Sequence, residues 1–274
     1  MEPGLYVVST PIGNLRDITY RAVDVLAACD LVLCEDTRVS GKLMSAYGLS
    51  RPLQPYHDHN ADAVRPRVLE RLAGGDRIAL VSDAGTPLIS DPGYKLVREA
   101  AEAGHPVRAL PGASAPFAAL AVAGLPSDRF LFAGFPPNKS AARRRWLEAL
   151  APVRATLILF ETGPRLADSL ADMAAVLGPR EAVVARELTK LYETHYRGTL
   201  PELAADPALA APKGEIVVLV APGAEAEAGA DEADAALRDA LTRGGPGEAA
   251  SEVAKALGLP RRDLYRRALA LKDG

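Results

Sequence analysis

Two α/β domains followed by a small helical module are the fold that this sequence predicts. Along residues 1–222, short apolar runs rich in β-branched residues alternate with amphipathic helical patterns, which is typical of sheets covered by helices. Residues 223–234 contain a stretch of Gly, Ala and Glu without an apolar anchor, which predicts a linker. Residues 235–274 then show only helical patterns, so we expect a separate helical module there.

The first domain, residues 1–125, is predicted to hold a mainly parallel sheet. Short apolar runs have the length of buried strands, and amphipathic patterns alternate with them. Strands are expected at 5–9, 31–34, 78–81 and 107–110, and helices at 20–29, 39–47, 60–73 and 94–103. Ligands of such sheets bind beyond the carboxyl ends of the strands, so the loops that leave these strands are candidates for a site.

The second domain, residues 126–222, is predicted to have a mixed sheet. The link between the strand patterns at 182–187 and 193–198 is short, and a short link suits an antiparallel hairpin. Further strands are expected at 130–133, 155–160 and 215–221, with helices at 141–150, 164–177 and 200–204.

The helical module is predicted to resemble a helix-turn-helix in its last two helices. Gly258 and Pro260 separate these helices, and the last one carries a basic pair, Arg262 and Arg266, away from its apolar face. Docking of RNA, a capping module and a dimer contact all fit this pattern. The three helices are expected at 235–243, 249–257 and 261–271.

The net charge of −3, from 32 basic and 35 acidic residues, excludes a protein that coats nucleic acid through bulk charge. The charge is uneven, because residues 225–239 hold six acids and one Arg, whereas residues 255–272 hold six bases and one Asp. Local basic clusters can neutralise phosphates, although a solvated helix surface is the alternative for each cluster. The residues predicted to bind RNA are Arg38, Lys139, Arg143, Arg144, Arg145, Arg262 and Arg266.

A cytoplasmic protein is expected, because the N-terminus has no basic segment followed by an apolar one and no apolar run approaches the ~18–20 residues of a membrane helix. Cys29 and Cys34 are expected to be reduced and buried. His57 and His59 could share one strand face, but no third metal ligand is obvious. No metal is therefore expected, and a polar loop or a helix cap at Asn60 is the alternative.

Polar loops follow several of the predicted strands. The longest, residues 82–93, has two Asp, two Gly and two Pro in its twelve positions. An ordered loop of this length costs conformational entropy with little burial in return, so we expect it to bind a ligand. Residues 9–19 lie between a strand and a helix, where backbone N–H groups suit a polar or anionic ligand, although a tight turn alone is the alternative.

Seven segments, taken in order along the chain, resemble one family closely. They read TPIGNLRDIT at 10–19, EDTR at 35–38, SDAGTPLISDPG at 82–93, LPGASA at 110–115, GLPSDRF at 124–130, RELTK at 186–190 and KGE at 213–215. On these residues, the sequence is similar to the tetrapyrrole-methylase-like (class III) methyltransferases, and among them to the branch that acts on small-subunit ribosomal RNA. The resemblance spans roughly residues 4–221, and segment 82–93 is its most specific part.

The resemblance implies two α/β domains of the tetrapyrrole methylase type with the cofactor cleft between them, and a homodimer. It implies S-adenosylmethionine as the cofactor and the 2′-oxygen of a cytidine in 16S (small-subunit) rRNA as the methyl acceptor. The loop that holds Pro11, Gly13 and Asn14 is expected to face this cleft and to contact cofactor or substrate. The other cofactor contacts that the resemblance implies are Ser82, Asp83, Ala84, Gly85, Thr86, Pro87, Ser114 and Ala115.

Two segments depart from the family's pattern. The branch commonly has LPGPSA, and Ala113 replaces the second proline here, which loosens one turn but keeps its Gly and Ser. A YESxHR-like segment reads FETGPR at 160–165, so its His is lost while Glu161 and Arg165 remain.

Catalysis needs help at the acceptor, because a ribose hydroxyl is a poor nucleophile. A general base, or a charge that lowers the pKa of the hydroxyl, would supply this help. Position at strand ends and charge make Asp17, Asp36, Glu187 and Lys190 the candidates. A salt bridge or a cap at the domain interface is the alternative role for each of them.

Two other functions stay open on the sequence alone. A methyltransferase of the same fold could act on a tetrapyrrole, or on another small or protein substrate such as a modified histidine. A non-catalytic RNA-binding assembly factor could also have kept the fold. The amino-acid sequences of the segments GLPSDRF and SDAGTPLISDPG favour the ribosomal RNA branch over both.

Overall fold

The computed structural model describes residues 1–223 and 228–273. The chain divides into two compact units, Met1–Pro222 and Gly223–Gly274. The first unit contains both sheets, and the described part of the second unit forms three helices.

The first sheet is fully parallel, with its five strands in the order β3-β2-β4-β1-β5. Its strands β1 and β2 are buried along their whole length, and β4 is buried after Arg77, because helices cover both faces. Their continuous apolar runs follow from this burial. The predicted parallel sheet is confirmed. Strand β3 was not predicted, because a segment of three residues, Leu-Gln-Pro, is too short to show a strand pattern. The strands are β1 (Gly4–Val8), β2 (Leu31–Cys34), β3 (Leu53–Pro55), β4 (Arg77–Val81) and β5 (Val107–Leu110), and the helices are α1 (Tyr20–Ala28), α2 (Thr37–Ala46), α3 (Ala61–Ala73) and α4 (Tyr94–Glu102).

The second sheet is mixed, as predicted, with the order β6-β7-β10-β8-β9. Strands β6 and β7 are parallel, and the remaining pairs are antiparallel, including the β8–β9 hairpin. The strands are β6 (Phe130–Gly134), β7 (Thr156–Thr162), β8 (Glu181–Arg186), β9 (Thr194–Thr199) and β10 (Glu215–Val220), and the helices are α5 (Ala115–Ala123), α6 (Ser140–Leu150), α7 (Gly163–Leu177) and α8 (Leu200–Ala205).

Helix α5 packs on the second sheet, although it follows the last strand of the first. Its Ala119 and Leu120 share a core cluster with Ile12 from the loop after β1 and with Ile158 and Val217 of the second sheet. The predicted boundary at residue 125 therefore differs from the packing, which joins residues 115–123 to the second sheet. The helix is apolar all round, so the sequence pattern does not reveal which sheet it covers.

The second unit is a three-helix bundle of α9 (Ala228–Leu241), α10 (Pro246–Leu257) and α11 (Arg261–Asp273). Leu237, Val253 and Leu264 lie in its core, one from each helix. The predicted linker at 223–234 is wrong over 228–234, where α9 has already begun. Alanine-rich sequence is favourable for a helix even without an apolar anchor. Residues 224–227 lie outside the described residues.

Three further findings concern residues 1–223 and 228–273. No helix in these ranges combines the length and the apolar character needed to cross a membrane. No group of three or more His, Cys, Asp or Glu in them could hold a metal ion. Cys29 and Cys34 are both buried and free.

Candidate active site

The loops that follow β1, β4 and β5 are joined by hydrogen bonds at the carboxyl edge of the parallel sheet. Thr10 N–H donates to the Gly85 carbonyl at 2.8 Å, and Gly85 N–H donates to the Thr10 carbonyl at 3.1 Å. The hydroxyls of Ser9 and Thr86 lie 2.9 Å apart, and Thr86 Oγ1 donates to the Ala113 carbonyl at 3.1 Å. Three segments that are distant in sequence therefore form one rigid wall.

The loop at 82–93 is held in an unusual conformation. Leu88 and Ser90 have φ angles of 73° and 68°, in the left-handed region that residues with a Cβ rarely adopt. The buried Ser82 hydroxyl donates to the Gly85 carbonyl at 3.1 Å and holds the start of the loop. Strained backbone of this kind persists where the surrounding structure imposes it, and it is concentrated at ligand sites.

A cavity of about 290 Å³ opens between this wall and the second sheet. Its volume is close to the lower end of the range of small-molecule sites, roughly 300–1,000 Å³. Most of its surface is apolar, with a few polar groups from the two sheets. Its lining is Ile12, Ala84, Gly85, Thr86, Ile89, Ser90, Asp91, Ser114, Ala115, Pro116, Phe135, Phe160, Glu161, Thr162, Leu188, Gly214, Glu215, Ile216 and Val217.

Two features of the cavity leave backbone groups open to a ligand. Gly85 has φ +85°, and a Cβ at this position would lie 3.3 Å from Ile12 Cγ2, so the backbone approaches the cavity closely only because the residue is Gly. Ser114 and Ala115 begin α5 at the cavity wall, and the Ser114 side chain caps none of the helix N–H groups. Those N–H groups are thus available to polar atoms of a ligand.

Glu161 is a buried carboxyl at the wall of the cavity. Arg165 lies 3.2 Å from its Oε1, Thr162 N–H donates to its Oε2 at 2.8 Å, and the Ser169 hydroxyl donates to its Oε1. These partners fix Glu161 in place and neutralise its charge. The Glu and Arg of segment 160–165 therefore form a salt bridge without the missing His.

Lys190 connects three segments beside the cavity. Its Nζ lies 2.8 Å from Glu187 Oε1 and 2.9 Å from Glu215 Oε2. The hydrogen bond from Lys190 holds the pKa of Glu187 below its ordinary value. The stem of Lys190 lies against Gly13, where an added Cβ would be only 2.5 Å from Lys190 Cγ.

Asp91 is a half-buried carboxyl that lines the cavity. Burial raises its pKa to about 6, and the nearby charges of Glu35 and Asp83 add to the rise, whereas a hydrogen bond with Ser82 opposes it. Burial, followed by the charge of Asp83, also raises the pKa of Glu35.

A second, more open depression lies at the carboxyl ends of β2 and β3. Asp36 caps α2 by accepting a hydrogen bond from Arg38 N–H at 2.8 Å, and it forms a salt bridge with the Arg38 guanidinium. Asp36 N–H in turn donates to Asp83 at 3.1 Å. The lining residues are Glu35, Asp36, Thr37, Arg38, Pro55, His57, His59 and Asp83.

The predicted cofactor contacts divide into two groups. Ala84, Gly85, Thr86, Ser114 and Ala115 line the cavity. The other six predicted contacts are not among its lining residues. From the loop after β1, the residue that lines the cavity is Ile12 rather than Pro11, Gly13 or Asn14. Ser82 and Pro87 belong to the loop at 82–93 outside the lining, and Asp83 lines the second depression.

None of the four predicted catalytic residues lines the cavity. Asp17 is exposed in a short 3-10 turn (Leu15–Asp17), and Asp36 lines the second depression. Both Glu187 and Lys190 contact Glu215, which lines the cavity: Glu215 N–H donates to Glu187 Oε1, and Lys190 Nζ forms a salt bridge to Glu215 Oε2.

The predicted RNA-binding role of Arg143 is wrong, because its side chain is only 3% exposed and forms a salt bridge to Asp172 at 2.6 Å. A guanidinium buried in this way cannot reach a phosphate. Arg144 shares Asp172 but stays half-exposed. The remaining predicted residues, Arg38, Lys139, Arg145, Arg262 and Arg266, are exposed.

Several residues of the cavity are not predicted by the sequence. Asp91 lies inside the loop that was singled out, but only the first six residues of that loop were assigned to the cofactor. Glu161 and Glu215 lie in segments that were quoted without a role. The apolar residues Phe135, Phe160 and Leu188 give no signal in the sequence, because only the packing of the two sheets turns them toward one space.

The fold class is that of the tetrapyrrole methylases. The family model described as "Tetrapyrrole (Corrin/Porphyrin) Methylases" matches residues 4–204. Two solved structures share the fold. A diphthine synthase has a TM-score of 0.61 and 17% sequence identity, and the match covers 79% of this chain and 89% of that one. A uroporphyrin-III-C-methyltransferase from Thermus thermophilus has a TM-score of 0.56 and 22% identity, and the match covers 78% of this chain and 93% of that one.

Full-length relatives narrow the assignment. The chain is 54% identical to the "Ribosomal RNA small subunit methyltransferase I" of Mesorhizobium japonicum, over 100% of this chain and 94% of that protein. It is also 54% identical to the protein of the same name from Erythrobacter litoralis, over 99% of this chain and 96% of that protein. A model described as "RsmI C-terminal HTH domain" matches residues 227–272. The chain therefore belongs to the tetrapyrrole methylase family, in its ribosomal RNA small subunit methyltransferase I branch.

Proposed function

We propose that this protein is an enzyme that transfers a methyl group from S-adenosylmethionine to the 2′-oxygen of a cytidine in 16S rRNA of the small ribosomal subunit. The single observation that carries the proposal is the 54% identity, over the whole chain, to proteins named for methylation of this RNA. Membership of a methyltransferase family supports S-adenosylmethionine as the methyl donor. The cavity, with its apolar walls and open helix N-terminus, is the expected cofactor site.

Bound S-adenosylmethionine would supply the electrophilic methyl group. We infer that the apolar walls at Ile12, Phe135 and Phe160 exclude water from the site, while the backbone at Gly85 and the first turn of α5 orient the cofactor. The proposed contacts remain Pro11, Gly13, Asn14, Ser82, Asp83, Ala84, Gly85, Thr86, Pro87, Ser114 and Ala115, of which the six outside the lining act by holding the wall.

The four candidate catalytic residues are proposed to act mainly by positioning. Glu187 and Lys190 link the β8–β9 turn to β10 and to the loop after β1, so they set the width of the cavity entrance. Asp36 orders the loop after β2 and holds Arg38, and Asp17 lies on the exposed turn of the loop after β1.

We further propose that the RNA contacts the exposed cations Arg38, Lys139, Arg144, Arg145, Arg262 and Arg266. These cations come from both units, and basic clusters neutralise phosphates wherever they meet the backbone. A cytoplasmic location, a homodimer and the arrangement of two α/β domains with a helical module complete the proposal.

The decisive experiment is transfer of labelled methyl from S-adenosylmethionine to small subunits that lack the modification. Label in a ribose of a 16S rRNA cytidine is the expected result. Label in a tetrapyrrole or a protein instead would support another methyltransferase of this fold, and cofactor-independent RNA binding without transfer would support an assembly factor.

Ala84→Phe is expected to abolish binding of S-adenosylmethionine, measured by calorimetry, while the midpoint of thermal unfolding stays within a few degrees. Ala84 is exposed and lines the cavity, so a larger side chain enters the ligand space without disturbing the core. Ala63→Phe, on an exposed position of α3, is the matched control. Unchanged affinity in Ala84→Phe would show that the cofactor binds elsewhere.

A further inference from the structure

All the charged residues that line the cavity are acidic. They are Asp91, Glu161 and Glu215, and among residues 1–223 and 228–273 no Lys, Arg or His belongs to the lining. A cavity with this lining is more favourable for a cation than for a neutral or anionic ligand of the same shape, because apolar walls strengthen the electrostatic interaction.

Two of the three carboxyls are already neutralised. Arg165 lies 3.2 Å from Glu161, and Lys190 lies 2.9 Å from Glu215. No salt bridge to Asp91 is formed by any residue that the structure describes; its Ser82 partner is a neutral hydroxyl. Asp91 therefore supplies the uncompensated negative charge of the cavity.

We propose that Asp91 makes the site selective for a sulfonium cofactor over the neutral thioether that remains after methyl transfer. The proposal rests on the proposed function, since it assigns the ligand to S-adenosylmethionine. S-adenosylmethionine and S-adenosylhomocysteine share the adenosine, ammonium and carboxylate groups, and they differ in one methyl group and one positive charge. Only that charge can distinguish the two through Asp91, so the product leaves more readily than the cofactor.

The surroundings of Asp91 strengthen this assignment. Glu35 from the end of β2 and Asp83 from the end of β4 face it with negative charge. Together with burial, which has the largest effect, these two carboxylates raise the pKa of Asp91 to about 6. A cation beside the carboxyl lowers that pKa, so binding of the sulfonium should release a proton near pH 6.

The expected pH dependence follows from this linkage. If the pKa of Asp91 falls from about 6 to its ordinary 3.8 on binding, affinity for S-adenosylmethionine is about tenfold weaker at pH 5 than at pH 7.5. S-adenosylhomocysteine lacks the sulfonium charge, so its affinity should change much less over the same range.

The test is calorimetry of both ligands with the full chain, at pH 5 and 7.5, for the wild type and for Asp91→Asn. Asp91→Asn, which keeps the side chain neutral, should reduce the preference for S-adenosylmethionine over S-adenosylhomocysteine by about 150-fold at pH 7.5 and about 15-fold at pH 5, and so remove its pH dependence. Asp168→Asn, which changes an exposed carboxyl on α7, is the matched control and should behave as the wild type.

The outcomes separate this inference from the proposed function. A wild type that binds neither ligand would overturn the proposed function, whereas binding of both with an unchanged preference in Asp91→Asn would overturn only the role of Asp91. If Asp91→Asn does not fold, the number of protons released on binding tests the inference instead. Calorimetry of the wild type at pH 6, in two buffers of different ionisation enthalpy, should show that S-adenosylmethionine releases more protons than S-adenosylhomocysteine does. Equal release with both ligands would contradict the inference.

Discussion

At the scale of single residues, Gly13 and Lys190 depend on one another. Lys190 passes over the backbone of Gly13 to reach Glu187 and Glu215, and its stem occupies the space that a Cβ of residue 13 would need. Gly13 also has φ +152°, which residues with a Cβ rarely adopt. The family motifs at 10–19 and 186–190, which are far apart in the sequence, thus meet in one contact.

Gly13→Ala is expected to lower the free energy of unfolding by about 1–3 kcal/mol, through backbone strain and through displacement of Lys190 from its two carboxylates. In a Lys190→Ala background, Gly13→Ala should lower the free energy of unfolding by about 1 kcal/mol less, because the backbone strain remains but no Lys190 side chain is displaced. Urea unfolding of the two single variants and the double variant measures this difference. Strictly additive costs would contradict the coupling between Gly13 and Lys190.

At the scale of secondary-structure elements, a buried salt bridge joins α6 to α7. Arg143 of α6 contacts Asp172 of α7 at 2.6 Å, and Ser140 and Arg144 donate to the other carboxylate oxygen at 3.0 and 2.6 Å. Burial pushes the pKa of Asp172 upward, but the hydrogen bonds from Arg144, Ser140 and Arg143 outweigh it and hold the pKa below its ordinary value.

Arg143→Met is expected to lower the free energy of unfolding by about 3 kcal/mol, because it leaves Asp172 buried with only part of its compensation. Since the pKa of Asp172 is lowered in the folded state, the stability it contributes is present above its ordinary pKa of 3.8 and is lost as the pH falls below it. The cost of Arg143→Met should therefore shrink toward pH 3.

Arg145→Met is the matched control, since Arg145 lies two positions along the same helix and is exposed. It should change stability by no more than about 0.5 kcal/mol. Chemical unfolding at pH 7 and pH 3 compares the two variants. A similar, small cost for both would mean that the buried salt bridge contributes nothing to the packing of α6 on α7.

At the scale of the whole molecule, the mild net charge of −3 hides an uneven distribution. Helix α11 buries Leu264 and Ala268 against its own unit and exposes Arg262 and Arg266. A helix with one apolar face and one exposed basic face can anchor itself in its bundle and still contact phosphates.

Replacing Arg262 and Arg266 together by Gln is expected to weaken binding to an rRNA fragment and to lower the slope of log affinity against log salt concentration by about 2. Calorimetric affinity for S-adenosylmethionine should stay as in the wild type, since both residues belong to the helical unit. Arg98→Gln on α4, an exposed Arg of the other unit, serves as the control. An unchanged salt slope would favour a capping module or a dimer contact instead.

The sequence by itself determined the strand–helix alternation, the parallel and mixed sheets, the three C-terminal helices and the long polar loop at 82–93. These features depend on local periodicity and turn chemistry, which neighbouring residues carry. The tertiary structure alone decided that α5 covers the second sheet, that Arg143 is buried and that Asp91 lies uncompensated in the cavity. Each of these depends on which distant segments meet, because burial and opposing charges decide whether a charged residue contacts solvent, forms a salt bridge or faces a ligand.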